Sequence, residues 1–262
     1  MNLAISNLAW NKDDNIKMYE FISNSGFQGL EIAPTKLFSN RPYNCIKEAV
    51  KYKAFLKKEY NLKVVSLQSI WYGKKDTIFG SQEERKNLYN YTKEAIEFSN
   101  ALECPNIVFG CPKNRIIKNA NQWDIAVEFF SNIGEAAFKH GVFIAIEPNP
   151  RIYNTNFINT TNEAIKFCNC IQSKGLKVNL DFGTIIENKE IISFSQNDIN
   201  LINHVHISEP NLKLIKERDE HYKLKKVLLK YNYKKFISIE MGDGNNLKDI
   251  KKTIEYIGRV FK

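Results

Sequence analysis

Eight short apolar runs alternate with longer segments of helical periodicity along this chain, and the last four runs end on Glu, Asp, His and Glu in turn. The runs are LAIS (3–6), GLEI (29–32), VVSLQ (64–68), NIVF (106–109), VFIAIE (142–147), LKVNLD (176–181), NHVH (203–206) and FISIE (236–240). Helical patterns at 14–25, 43–60, 83–102, 122–140, 161–173, 196–202, 218–231 and 246–261 separate or follow them. Ser81 is placed to cap the start of one helix, and Gly26, Gly141 and Gly175 to end others. Such alternation predicts an all-parallel sheet, because a parallel neighbour is reached only by a crossover, ordinarily a helix. The first strand is followed by NLAWNKDD, without a glycine-rich phosphate loop. A closed (β/α)₈ TIM barrel is therefore expected rather than an open doubly wound sheet. The 262 residues match one barrel, with no Pro/Gly/Ser-rich linker to divide them, so a single domain spanning 1–262 is expected.

Alternate residues of a strand share a face. Glu147 thus sides with Ala145 and Phe143, Asp181 with Asn179 and Lys177, His206 with His204, and Glu240 with Ser238 and Phe236. The opposite faces carry Ile144, Ile146, Val178, Leu180, Val205, Ile237 and Ile239. In a barrel the outward residues pack on helices, and the inward ones at the C-terminal rim build the active site. Glu147, Asp181, His206 and Glu240 are accordingly expected to converge as metal ligands. Three carboxylates and an imidazole form a hard, oxygen-rich donor set, pointing to Mn²⁺ first, with Mg²⁺, Co²⁺ or Zn²⁺ as alternatives. Such an ion would polarise a carbonyl and stabilise an enediolate. Glu147 and Glu240 are the candidate catalytic bases, placed to address opposite faces of a planar intermediate.

Other rim positions are candidates for substrate contact. Trp10 offers an aromatic face, Glu31 and Gln68 polar groups, and Arg115 a guanidinium that pairs well with phosphate oxygens. One inward step below the rim, Asn179 and His204 are candidates to support the ligands.

The formal charge is +9, but the lysines are spread along helical segments such as KYKAFLKKEY (51–60), as on solvated faces. A small-molecule substrate, for which a positive field would favour an anion, is expected as partner rather than nucleic acid, and a homo-oligomer is compatible with the sequence. The five cysteines show no CxxC spacing and read as reduced thiols. Neither a signal-peptide pattern nor a membrane-length apolar run is present, so a cytoplasmic location without membrane attachment is expected.

The texts IEPNP (146–150), NLDFGT (179–184), HVHISEP (204–210) and SIEM (238–241) resemble the xylose-isomerase-like barrels. That superfamily includes ketose 3-epimerases, hydroxypyruvate isomerases, inosose dehydratases and endonuclease IV, and the resemblance covers essentially the whole chain. It implies one divalent cation held by Glu147, Asp181, His206 and Glu240, with the two glutamates also handling protons. Glu209 matches a recurrent family glutamate, expected here at the substrate, and VFGCPKNR (108–115) resembles a segment of sugar-phosphate members. The chain departs from ketose 3-epimerases at Thr184 and Leu212, where those enzymes carry a substrate-contacting His and Arg. Its histidines, His140, His204, His206 and His221, are too few for the trinuclear zinc site of endonuclease IV. The expected function is a metal-dependent sugar or sugar-phosphate isomerase or epimerase. A dehydratase using the same enediolate and a non-catalytic carbohydrate-binding barrel are the alternatives.

Overall fold

Each apolar run becomes a strand in the computed structural model, which describes residues 1–38, 41–119 and 121–262. The strands are β1 (Asn2–Ser6), β2 (Gly29–Ile32), β3 (Lys63–Leu67), β4 (Asn106–Phe109), β5 (Phe143–Ile146), β6 (Leu176–Asp181), β7 (Ile202–Ile207) and β8 (Phe236–Ile239). They pair in sequence order, all parallel, and the sheet closes where Ile5 of β1 lies against Ile239 of β8. Closure removes both sheet edges, so every strand's backbone has a partner on each side.

The helices are α1 (Asn15–Asn24), α2 (Pro34–Leu37), α3 (Ile46–Tyr60), α4 (Gln82–Ala101), α5 (Gln122–Lys139), α6 (Thr161–Ile171), α7 (Phe182–Asn188), α8 (Gln196–Leu201), α9 (Asp219–Lys230) and α10 (Leu247–Phe261). Ser81 caps α4 as expected, in a reciprocal box with Glu84. The end expected near Gly175 comes earlier, because Gln172 adopts the left-handed turn that terminates α6. Gly175 serves close packing instead: a Cβ there would stand 1.9 Å from the Gly134 carbonyl oxygen of α5. Two short helices, α2 and α7, go beyond the sequence reading. In α7 the chain passes from strand to helix without a loop, since Asp181 ends β6 and also caps α7 through Thr184 N.

Outward strand residues such as Leu3, Ile5, Leu30, Val178, Val205 and Ile237 are fully or almost fully buried against the helices. The apolar stripe of α10, Ile250, Ile254, Ile257 and Phe261, closes over the same layer. The barrel interior is unusually polar. Ser6, Glu31, Ser66, Asn106, Asn179, His204, His206 and Ser238 are each at most 1% exposed. Burial of so many polar groups is tolerable only where they pair, and Asn106 Nδ2 donates to Ser66 Oγ at 2.9 Å, for example. Among the described residues no helix is long and apolar enough to cross a membrane.

Candidate metal centre

Glu147 and Glu240 follow directly after β5 and β8, Asp181 ends β6, and His206 is the penultimate residue of β7. The register sets Asp181 beside His206, and His206 beside Ser238, two residues before Glu240. One ligand atom from each of the four lies within 4.8 Å of all the others. His206 Nδ1 stands 2.9 Å from Glu147 Oε1 and 3.2 Å from Glu240 Oε2. The strand-end pattern in the sequence therefore corresponds to one convergent cluster.

Three of these four side chains are held from behind. Glu147 Oε2 accepts from Asn149 Nδ2 at 3.0 Å and Oε1 from Asn179 Nδ2 at 2.7 Å. Gly110 is required beside it, because a Cβ there would lie 2.6 Å from Glu147 Oε2. Asp181 Oδ2 accepts from Thr184 N at 2.7 Å, and Oδ1 accepts from the Ser208 hydroxyl. His206 Nε2 lies 2.9 Å from both oxygens of Glu31, whose Oε2 is also 2.9 Å from His204 Nε2. Gln68 Nε2 closes this interior group, donating to Glu31 Oε1 at 2.7 Å and to Ser6 Oγ at 2.6 Å.

The electrostatics are those of crowded carboxylates. Burial, with Glu147 beside it, pushes Asp181 up to about 6. Burial also pushes Glu240 up to about 7, against the pull of His206. Glu147 moves the other way: burial opposes its charge, but His206, Asn149 and Arg115 hold it below its ordinary value. Burial disfavours a charge on His206, yet Glu240, Glu31 and Glu147 together raise it well above the usual imidazole range. Among the described residues no lysine or arginine forms an ion pair with these three carboxylates, so a proton on His206 is the nearest compensating charge. His206 Nδ1 is buried and makes no well-formed hydrogen bond. Three converging carboxylates and an imidazole nitrogen left open fit a divalent cation.

Several expected substrate contacts are placed elsewhere. Trp10, which follows a short 3₁₀ segment after β1, is buried, with Nε1 donating to Asn15 Oδ1 at 2.9 Å, and does not line the cavity beside the cluster. Glu31 lies beneath His206 with no exposed surface, so it supports the ligand instead of meeting a substrate hydroxyl. Arg115 is likewise fully buried: Nη2 donates to the Glu147 carbonyl at 2.7 Å and to Asn149 Oδ1 at 2.6 Å, and burial draws its pKa down to about 10. The guanidinium therefore presents no exposed surface to a substrate phosphate, and its Nε and Nη1 are buried without a partner. Glu209 makes a two-pronged pair with Arg218 at 2.7 and 2.6 Å, pinning the segment after β7. Gln68 does line the cavity, although its amide nitrogen turns inward. The sequence reading missed Leu8, Asn149, Tyr153 and Ser208 in the cavity wall. Only Asn149 and Ser208, each two residues from a ligand, left a signal: an i+2 position returns to the same side of the chain.

A family model described as xylose isomerase-like TIM barrel matches residues 19–260. A comparison with curated protein sequences returns no match. Among solved structures, D-psicose 3-epimerase from Clostridium cellulolyticum H10 superposes with a TM-score of 0.81 at 17% identity, covering 100% of both chains. The 3-keto-D-glucoside 4-epimerase of E. coli gives 0.77 at 20% identity over 98% of each chain. An AP endonuclease of family 2 from Brucella melitensis gives 0.77 at 15% identity over 99% of each. At such identities the likeness establishes a shared fold.

Proposed function

The chain belongs to the xylose isomerase-like TIM-barrel family, and from that premise we propose that it is a divalent-metal-dependent sugar isomerase or epimerase. The observation that carries this reading is the convergence of Glu147, Asp181, His206 and Glu240 at the C-terminal mouth. Epimerases of D-psicose and of 3-keto-D-glucoside share its fold, which supports the same class of chemistry. When bound, a divalent cation, Mn²⁺ by preference for this donor set, supplies Lewis acidity toward a carbonyl oxygen and its neighbouring hydroxyl.

The chain's own residues then do the proton work. Glu147 and Glu240 follow strands three places apart in the barrel, and both lie beside His206 Nδ1. One carboxylate removes the proton on the carbon beside the carbonyl, and the other returns a proton to the opposite face, inverting that centre. Return by the same carboxylate to the adjoining carbon, with the hydroxyl proton passing to the former carbonyl oxygen, would shift the carbonyl instead. Asn149 and Asn179 fix Glu147, while Thr184 and Ser208 fix Asp181, so little reorganisation accompanies reaction. Thr184 is fully buried in that role, and Leu212 lines the mouth as an apolar surface, so the two contacts characteristic of ketose 3-epimerases are not reproduced. A neutral sugar is favoured over a sugar phosphate because Arg115, the residue expected to meet the anion, is enclosed behind Glu147.

The test is deuterium uptake from D₂O by the Mn²⁺-loaded protein, across a panel of ketoses and aldoses, with identification of the product. Uptake into a recovered epimer or isomer supports the reading. Loss of water from the sugar would replace it with a dehydratase, and absence of uptake across the panel would reject it.

A further inference from the structure

Beyond the metal centre the mouth of the barrel opens into a second chamber. The cavity lined by Glu147, Asp181 and Glu240 has a volume of about 200 Å³, less than the roughly 300–1,000 Å³ of ordinary small-molecule sites. Next to it lies a cleft of about 780 Å³, walled by the segments that follow β1, β2, β3, β7 and β8. Leu8, Ser69 and Leu212 line both chambers and so form the passage between them.

That passage is built under strain. Ser69 and Leu212 hold φ angles of 54° and 52°, in the left-handed region that side chains ordinarily avoid. Leu212 is fixed there by two backbone bonds, from its N–H to the Glu209 carbonyl at 2.9 Å and to its carbonyl from Gly242 N–H at 2.8 Å. Strained residues persist only where the surroundings over-determine them, and they concentrate at ligand sites.

The walls also indicate what the cleft accepts. Lys36 is engaged, its Nζ donating to the Trp10 carbonyl at 3.0 Å and to Asp243 Oδ2 at 3.2 Å. Lys74 Nζ sits 3.7 Å above the centre of the Tyr91 ring. Among the described residues lining the cleft, no cluster of free cationic donors is left to hold a phosphate dianion. Leu8, Leu212 and Tyr72, which is 73% exposed, present apolar and aromatic surface, with the side chains of Thr35 and Ser69 close by. That combination matches a sugar ring, which stacks its C–H face on an aromatic side chain and offers hydroxyls to polar neighbours.

We infer that the cleft binds a second, uncharged sugar ring carried by the substrate, so that the reacting keto sugar lies at the metal centre with its glycosyl substituent beyond Leu212. The inference rests on the isomerase or epimerase reading for the occupant of the metal centre, while occupancy of the cleft is measurable by binding alone. The Mn²⁺-loaded protein is titrated with D-fructose, with glucosyl-fructoses bearing the second ring on O4 or O6, and with fructose 6-phosphate. Deuterium uptake is followed on the same compounds. One glucosyl-fructose should bind at least tenfold tighter than fructose. Thr35→Trp, which fills the cleft, should abolish that gain while fructose binding persists, and Tyr72→Ala should reduce it. Equal binding of fructose and both glucosyl-fructoses, or no binding of any, overturns the inference. So does a preference for the 6-phosphate that Lys74→Met removes, which would make the cleft an anion site. A glucosyl gain with no deuterium uptake on these compounds or across the ketose and aldose panel would leave the cleft standing and remove the isomerase or epimerase reading; uptake without the gain would do the reverse.

Discussion

Both carboxylate oxygens of Glu31 lie 2.9 Å from His206 Nε2, on the side of the imidazole opposite the Nδ1 that faces Glu147 and Glu240. The pairing sets which nitrogen keeps its hydrogen: with Nε2–H directed at Glu31, Nδ1 is the nitrogen that would give up its proton and offer a lone pair to a cation. Glu31 can take this part because burial, which opposes its charge, is outweighed by His206 and His204, and it stays ionised well below the usual carboxylate range.

Replacing Glu31 with Gln should therefore weaken Mn²⁺ binding about 10–100-fold, the usual effect of losing a group that orients a metal-binding histidine. None of Glu147, Asp181, His206 or Glu240 is altered by the change. Titration of metal-stripped protein with Mn²⁺ measures it, and unchanged affinity would mean that packing alone holds the ring.

The fold was legible because period-2 and period-3.6 patterns alternate without interruption, and the clustering of Glu147, Asp181, His206 and Glu240 because each closes a strand that is apolar on its other face. Glu31 obeys the same alternation as Glu147, and it was misplaced for a specific reason. Face alternation tells which way a side chain points but not how deep it sits, and the β2–β3 register shifts between Leu30 and Glu31. Arg115 defeated sequence reasoning differently. Its turn begins at Cys111 with a φ of 45°, and the chain then folds back to bring the guanidinium beneath Glu147, a path that no local pattern encodes.

Arg115→Ala should thus act on stability and on the placement of Glu147 rather than on phosphate selectivity. It abandons two buried acceptors, the Glu147 carbonyl and Asn149 Oδ1, at about 1–3 kcal/mol for each one left unpaired. Urea denaturation should show a lowered midpoint, while the ratio of kcat/KM for a phosphorylated and an unphosphorylated form of one sugar stays constant. A selective loss on the phosphorylated form would return Arg115 to the substrate.

His221 gives the fold a pH dependence that can be isolated from the metal centre. It is fully buried, with Nδ1 2.9 Å from the Tyr256 hydroxyl and the ring against Phe182, and burial lowers its pKa from 6.5 to about 4. The unfolded chain takes up this proton as pH falls below 6.5, whereas the folded chain resists until about 4. Stability from this group is complete above that window and declines as pH drops through it. Thermal melts of wild type and His221→Phe at pH 7.5 and pH 5 should show a smaller acid-side loss in the variant, since Phe cannot be protonated and Tyr256 keeps its bond to Arg218 N. Parallel losses in the two proteins would assign the acid sensitivity elsewhere.

The last expectation separates the two glutamates by their surroundings. Glu147 accepts hydrogen bonds on both oxygens, from Asn149 and Asn179. An amide at this position must set its NH₂ against one of those donors, so Glu147→Gln should disturb metal binding as well as proton transfer. Glu240 has one oppositely charged side-chain partner among the described residues, His206 Nδ1 at 3.2 Å from Oε2. Glu240→Gln can turn its NH₂ to the other side and keep a ligating oxygen, which makes it the cleaner test of a base. Its Mn²⁺ content should match wild type while turnover falls by the roughly 10²–10⁴-fold typical of lost acid–base catalysis. If it still washes deuterium into the unreacted sugar, Glu147 serves that face alone and the enzyme is a two-base epimerase. If exchange and turnover stay near wild type with the metal in place, Glu240 is only a ligand, and transfer between opposite faces is wrong.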